Sequence, residues 1–231
     1  MKDLGYRVHP KISLVSPELI EELRQFDVPD LCDTMRHAGT MFGISSVYPS
    51  TRRIAGPAVT LSVTVPNIDM LRVALDLCER GDVLVINARG ITTQAVLGGY
   101  MSQALANRGV AGVIVDGAVR DANEMRDNGL PVFARGTTTN GAALTAPGEV
   151  NVPVACGGTV VNPGDIIVAD EAGIVAIPPA AIDTVLTKVR NLLTVHEGWA
   201  DEVSRGEIFG FDDSLARVKA AGCSFVAVND K

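Results

Sequence analysis

The sequence predicts a mixed α/β protein on three grounds. Segments of strand and helix period alternate from about Ala58 to Ala134, apolar residues make up 47% of the 231 but aromatics only 4%, and 23 glycines supply tight turns. Ser16-Pro17-Glu18 combines an N-cap, a first-turn proline and an early acid and so opens a helix; Pro29 to His37, followed by Gly39, reads as a second. From Ala58 to Val65 the apolar Val59, Leu61, Val63 and Val65 alternate, the pattern of a strand buried on one face. Asp69 to Glu79 has helical apolar spacing and stops at Gly81. Asp82 to Ala88 carries the unbroken run Val83-Leu84-Val85-Ile86, which implies a strand buried on both faces.

A loop at Gly98-Gly99, a helix from Tyr100 to Arg108 and a strand from Val110 to Val115 come next, with Asp116-Gly117 expected to close that strand. Arg120-Asp121 opens a short helix to Asn128, ended by Gly129 before the strand Pro131-Val132-Phe133-Ala134. Val150 to Val154, Thr159 to Val161, Asp165 to Ala169 and Gly173 to Ile177 are short strands between glycines and prolines, expected to form hairpins or a small barrel layered on the α/β part. Ala180 to Asp201 is a long helix and Asp213 to Ala221 a last one. At this length a single domain over residues 1–231 is expected.

Lys and Arg total 20 against 27 Asp and Glu, a net charge of -7 with no basic stripe, which argues against a direct nucleic-acid partner. No apolar run has the length of a signal peptide or a membrane span, so a cytoplasmic protein without membrane contact is expected. Cys32, Cys78, Cys156 and Cys223 are scattered and form no Cys-x-x-Cys pair. His9, His37 and His196 are equally dispersed, and His196-Glu197 lacks the second histidine of a His-Glu-x-x-His zinc site.

Three features carry chemistry. Gly98-Gly99-Tyr100-Met101 begins a helix, where free backbone N–H groups can hold a carboxylate or phosphate, although such a pair also serves as an ordinary tight turn. Arg120-Asp121 follows a strand, at the edge where α/β proteins bind ligands. A guanidinium can fork onto a carboxylate or enolate oxygen, and one carboxylate can anchor a magnesium ion that keeps most of its waters. The same acid also suits the helix dipole alone. Lysines occur only at positions 2, 11, 188, 219 and 231, so the strand-helix core has no Schiff-base candidate and a metal is the simpler electron sink.

The run from Gly98 to Met101 and from Arg108 to Asp121, with Arg53 to Thr60, Gly81 to Val85, Val152 to Val154 and Pro163 to Asp170, resembles the RraA-like family, which includes 4-hydroxy-4-methyl-2-oxoglutarate and 4-carboxy-4-hydroxy-2-oxoadipate aldolases. The likeness covers about residues 29–177 and leaves a helical tail, 178–231. It implies a layered ββα swivelling-domain sandwich with helical N- and C-terminal segments, assembled as a homotrimer or homohexamer. It further implies Mg²⁺ or Mn²⁺ on Asp121, substrate contact by Arg120, a pyruvate carboxylate held by the backbone of Gly98, Gly99, Tyr100 and Met101, and a metal-ordering glutamate from a neighbouring subunit, for which Glu197 is the nearest match ahead of Glu207. The expected reaction is retro-aldol cleavage of a 4-hydroxy-2-oxo-dicarboxylic acid to pyruvate, with oxaloacetate decarboxylation at the same site.

One departure stands out. The family normally has an acidic residue, a participant in proton transfer, where this chain has Gly99; Asp116 is one candidate substitute, although Asp-Gly also makes turns. Some family members are named for inhibiting an RNA-processing endonuclease, so a non-catalytic regulator of a ribonuclease is the competing expectation. A methyltransferase is disfavoured, since no Gly-x-Gly-x-x-Gly loop follows a strand.

Overall fold

The computed structural model describes residues 5–12, 14–49 and 52–224. Two short helices, α1 (Pro17–Leu23) and α2 (Val28–Thr34), carry proline in their first turns. α2 stops before His37 because Arg36 and His37 both turn to positive φ. After β1 (Ser45–Ser46) the expected alternation follows as β2 (Ile54–Val63), α3 (Ile68–Leu77), β3 (Val83–Leu97), α4 (Gly99–Arg108), β4 (Gly112–Val119), α5 (Ala122–Asp127) and β5 (Val132–Thr137). Five short strands succeed it: β6 (Gly148–Val150), β7 (Val154–Cys156), β8 (Thr159–Val161), β9 (Ile166–Asp170) and β10 (Gly173–Ile177). The helices α6 (Ile182–Ser204) and α7 (Phe211–Ala220) end the described chain.

β2 to β5 are parallel neighbours in the sheet order β1-β5-β4-β3-β2-β9-β10, with β6 also pairing with β2. Alternate residues of these strands feed two cores. Val59, Leu61, Leu84, Ile86, Val113 and Val115 pack with α3, α4 and α5, whereas Ala58, Val83, Val85, Ile114 and Phe133 pack with the β7–β8 hairpin and β10. Hairpin, sheet and helices thus form ββα layers.

The strands refine their sequence-based expectation at several points. β2 is buried on both faces, because Thr60 is itself buried with its hydroxyl donating to the Val152 carbonyl at 2.6 Å. Of the two arrangements expected of the late strands, they take hairpins and not a barrel: β9–β10 extends the main sheet beyond β2, and β7–β8 stands off it. β3 runs well past Ala88, its register shifting beside the left-handed Arg89 and Gly90. Asp116-Gly117 lies inside β4, which ends at Val119; Gly117 is glycine for space, since a Cβ there would sit 2.8 Å from that of Ala88.

The chain divides into two compact units, residues 1–187 and 188–231. The second holds most of α6 and all of α7, with His196, Trp199 and Phe209 stacked at ring-centroid distances of 5.0 and 4.7 Å. Among the described residues no helix is long and apolar enough to cross a membrane.

Candidate active site

β3 and β4 end side by side. Leu97 pairs with Val119 as the last rung of their ladder, and the Arg120 amide still donates to the Leu97 carbonyl at 3.0 Å. The next residues, Gly98 and Arg120, therefore emerge together at the carboxyl edge of the sheet, where α/β folds hold ligands. Residues remote in sequence thereby come into direct contact.

From that edge α4 and α5 diverge. Asp121, the N-cap of α5, adopts left-handed φ 61°, a conformation that costs a non-glycine residue about 1–2 kcal/mol and that aspartate tolerates better than most. The turn brings its carboxylate back over α4, where Oδ2 accepts the Gly99 amide at 3.0 Å and lies 3.3 Å from Arg120 Nε. Helix geometry leaves the first amides of α4 without partners inside the helix, so Asp121 satisfies Gly99, and Tyr100 and Met101 present theirs at the same end.

The glycines here make space. Gly98 has ordinary extended torsions, but a Cβ on it would meet Asp121 Oδ2 at 2.8 Å and Arg120 Nε at 3.0 Å. A Cβ on Gly141 would come within 2.9 Å of Arg120 Nη1 on the other flank of the guanidinium. At Gly99 it would land 1.7 Å from Glu124 Oε2. Three bare backbone positions thus admit three charged groups.

Gly98, Gly99, Tyr100, Met101, Arg120 and Asp121 together line a cavity of about 120 Å³ closed by apolar residues of α3 and β3. That volume suits a ligand of a few heavy atoms. A wider cleft of about 530 Å³ adjoins it, lined by Arg120, Asp121, Glu124 and Thr137 to Thr139.

These features lie within residues 28–176, which match the RraA-like family, Aldolase/RraA. The chain belongs to that family. A Halalkalibacterium halodurans protein bearing the provisional name 4-hydroxy-4-methyl-2-oxoglutarate aldolase is 35% identical over 175 residues, 74% of this chain and 83% of the relative. Among solved structures, Streptomyces coelicolor RraAS2, described as an unusual member of the RNase ES inhibitor RraA protein family, is similar with TM-score 0.71 and 30% identity over 84% of this chain and 98% of that one. The RNA-processing inhibitor RraA of Thermus thermophilis is similar with TM-score 0.61 and 32% identity over 66% and 93% of the two chains.

Within this RraA-like site, the remaining candidates separate. Asp116 is not at the cavity: it is buried in β4, where Arg135 pairs with Oδ1 and the Gly157 amide donates to Oδ2 at 2.9 Å, tying the sheet to the β7–β8 hairpin. It cannot serve as the substitute acid without breaking that tie. Glu197 belongs to the second unit, exposed on α6, as Glu207 does beyond that helix's end. Sequence reasoning missed Gly141 and Glu124. Gly141 lies in a loop with no period, and Glu124 resembles any acid in the first turn of a helix.

The donor set can be tested against a metal. Among the described residues no three of His, Cys, Asp and Glu converge, which disfavours a zinc-type cage. One exposed carboxylate, Asp121, at the mouth of a polar cleft fits a hard divalent cation that keeps most of its waters.

Proposed function

We propose that this chain is a divalent-metal-dependent lyase that cleaves a 4-hydroxy-2-oxo-dicarboxylic acid to pyruvate and also decarboxylates oxaloacetate. The juxtaposition of Arg120 and Asp121 at the mouth of the cavity floored by Gly98 and Gly99 carries this reading. Family membership and the aldolase name of the Halalkalibacterium relative support it.

Asp121 would hold Mg²⁺ or Mn²⁺, which when bound polarises the keto group of the substrate. The amides of Tyr100 and Met101 orient the 2-oxo-acid by its carboxylate at the start of α4. Arg120, held between Gly98 and Gly141, places its guanidinium where negative charge develops on the keto oxygen as the C–C bond breaks. The small cavity keeps bulk water from the three-carbon end of the substrate. Tyr100 is 88% exposed at the cavity rim, which suits coverage by another copy in the homotrimer or hexamer that we also propose.

The test is pyruvate release from oxaloacetate with Mg²⁺ or Mn²⁺, repeated with EDTA. Metal-dependent, chelator-sensitive release is expected. The second reading, a non-catalytic protein ligand of a ribonuclease, is favoured by the names of the Streptomyces and Thermus proteins. Release no faster than buffer, together with retardation of an endonuclease by the purified protein, would establish that reading instead.

A further inference from the structure

Gly99 stands where the family resemblance expects an acid, yet the space above it is not empty. The Glu124 carboxylate fills it: a Cβ on residue 99 would sit 1.7 Å from Oε2 and 2.6 Å from Cδ. Glu124 is three residues beyond Asp121 on α5, which turns its side chain toward the first turn of α4 and into the cleft shared with Arg120 and Asp121. The structural alternative is a capping box, in which an acid at this position reaches back to the N-cap amide. No such bond forms; among the described residues nothing donates a hydrogen bond or ion pair to the Glu124 carboxylate. A carboxylate that stabilises its own helix would not need a glycine opposite it.

We propose that Glu124 is the proton-transfer residue of this site, supplying from α5 the carboxylate that residue 99 lacks, and that position 99 is glycine to admit it. The inference rests on the lyase reading. In the retro-aldol step Glu124 takes the proton of the 4-hydroxyl group. The C3–C4 bond then breaks, its electron pair passing to the enolate of the three-carbon fragment while C4 becomes a carbonyl. The protonated Glu124 returns the proton to C3, giving pyruvate and regenerating the carboxylate. Oxaloacetate decarboxylation differs in needing no base to begin, so it depends less on this residue.

That difference gives the test. Exchange of the pyruvate methyl protons in D₂O, followed by NMR with Mg²⁺ present, requires a base to form the enolate. In Glu124→Gln the ratio of exchange rate to oxaloacetate decarboxylation rate should fall about 10²-fold or more, while pyruvate affinity by calorimetry falls less than about tenfold, as expected of an interaction made mainly in the transition state. Moving the carboxylate back supplies the control that a packing role would not pass. Gly99→Asp combined with Glu124→Ala, which removes the two nearest atoms and keeps the residue 124 Cβ at 3.2 Å, should restore exchange relative to Glu124→Ala alone. A ratio within about threefold of wild type in Glu124→Gln, or no recovery in the double variant, would overturn the assignment. Absence of any metal-dependent decarboxylation by the wild-type protein would instead remove the lyase reading and this inference with it.

Discussion

The guanidinium of Arg120 lies against the bare backbone of Gly141, so closely that a methyl group there would stand 2.9 Å from Nη1. Arg120 is thus positioned from a loop far along the chain as well as from its own strand. Gly141→Ala should leave the fold intact, since the atom displaced is the end of a flexible side chain. It should lower kcat/KM for oxaloacetate by about 10²-fold, the scale expected when a reacting group is misplaced by an ångström. Steady-state kinetics with a thermal melt checks both halves. Near-normal kcat/KM would show that the guanidinium tolerates displacement and that its fork is not used.

Asp121 and Arg120 should fail differently. Asp121→Asn keeps an acceptor for the Gly99 amide, 3.0 Å away, so the first turn of α4 should persist while metal-dependent turnover drops by about 10²-fold or more with loss of the charge. Arg120→Lys keeps a charge but not the planar fork, and should lower kcat more than it raises KM. Mn²⁺ binding followed by its electron paramagnetic resonance separates the two. It should weaken in Asp121→Asn and persist in Arg120→Lys; unchanged Mn²⁺ binding in Asp121→Asn would refute Asp121 as the group that holds the metal.

How much of the fold and site is legible in sequence follows from which forces set each part. The Leu97–Val119 rung is set within one strand-helix-strand unit, so the closeness of Gly98 and Arg120 can be read from spacing. Glycine at 141 cannot, because its loop is pinned by remote bonds, from the Ala95 amide to the Asn140 carbonyl and from Asn140 Nδ2 to the Thr93 carbonyl, both 2.9 Å. Burial of Thr60 is hidden for a similar reason: its partner, Val152, is far along the chain. The pairing of β9 against β2 joins residues as remote as Ile54 and Ala169, and no local pattern selects that edge over a separate barrel. Glu124 is visible as a letter but not as a function, since its meaning lies in the side chain missing from Gly99.

The cysteines predict a simple titration. Of the four, Cys32, Cys78 and Cys156 are buried and Cys223 is exposed. Burial pushes the thiols of Cys78 and Cys156 up to about 12, with Asp82 and Asp116 respectively adding to the effect, so neither supplies thiolate at neutral pH. A disulfide reagent should therefore consume one thiol quickly in the native protein and four after denaturation. Rapid loss of more than that single thiol from the folded state would contradict the packing of the cores.

Acid should loosen the N-terminal segment, residues 5–9, before the sheet. Glu149 on β6 accepts from Arg7 through both carboxylate oxygens and from the Gly5 amide at 3.2 Å, while the Val150 amide bonds to the Arg7 carbonyl at 2.8 Å and the His9 amide to the Val150 carbonyl at 3.1 Å. The Arg7 hydrogen bond, ahead of the opposing effect of burial, holds the Glu149 carboxyl below the ordinary value of 4.5. A group with a lowered folded-state pKa contributes stability that is present above its unfolded value and is lost as the pH falls through the folded value. Protection of the His9 and Val150 amides from hydrogen exchange, corrected for intrinsic rates, should therefore be constant at neutral pH and decline below 4.5, while that of Val85 in the central sheet holds. Glu149→Gln should start from lower protection at neutral pH and show a flatter decline. Protection at His9 that stays level from about pH 6 to about pH 3 would mean that backbone pairing alone secures this segment and that the Glu149–Arg7 pair contributes nothing to it.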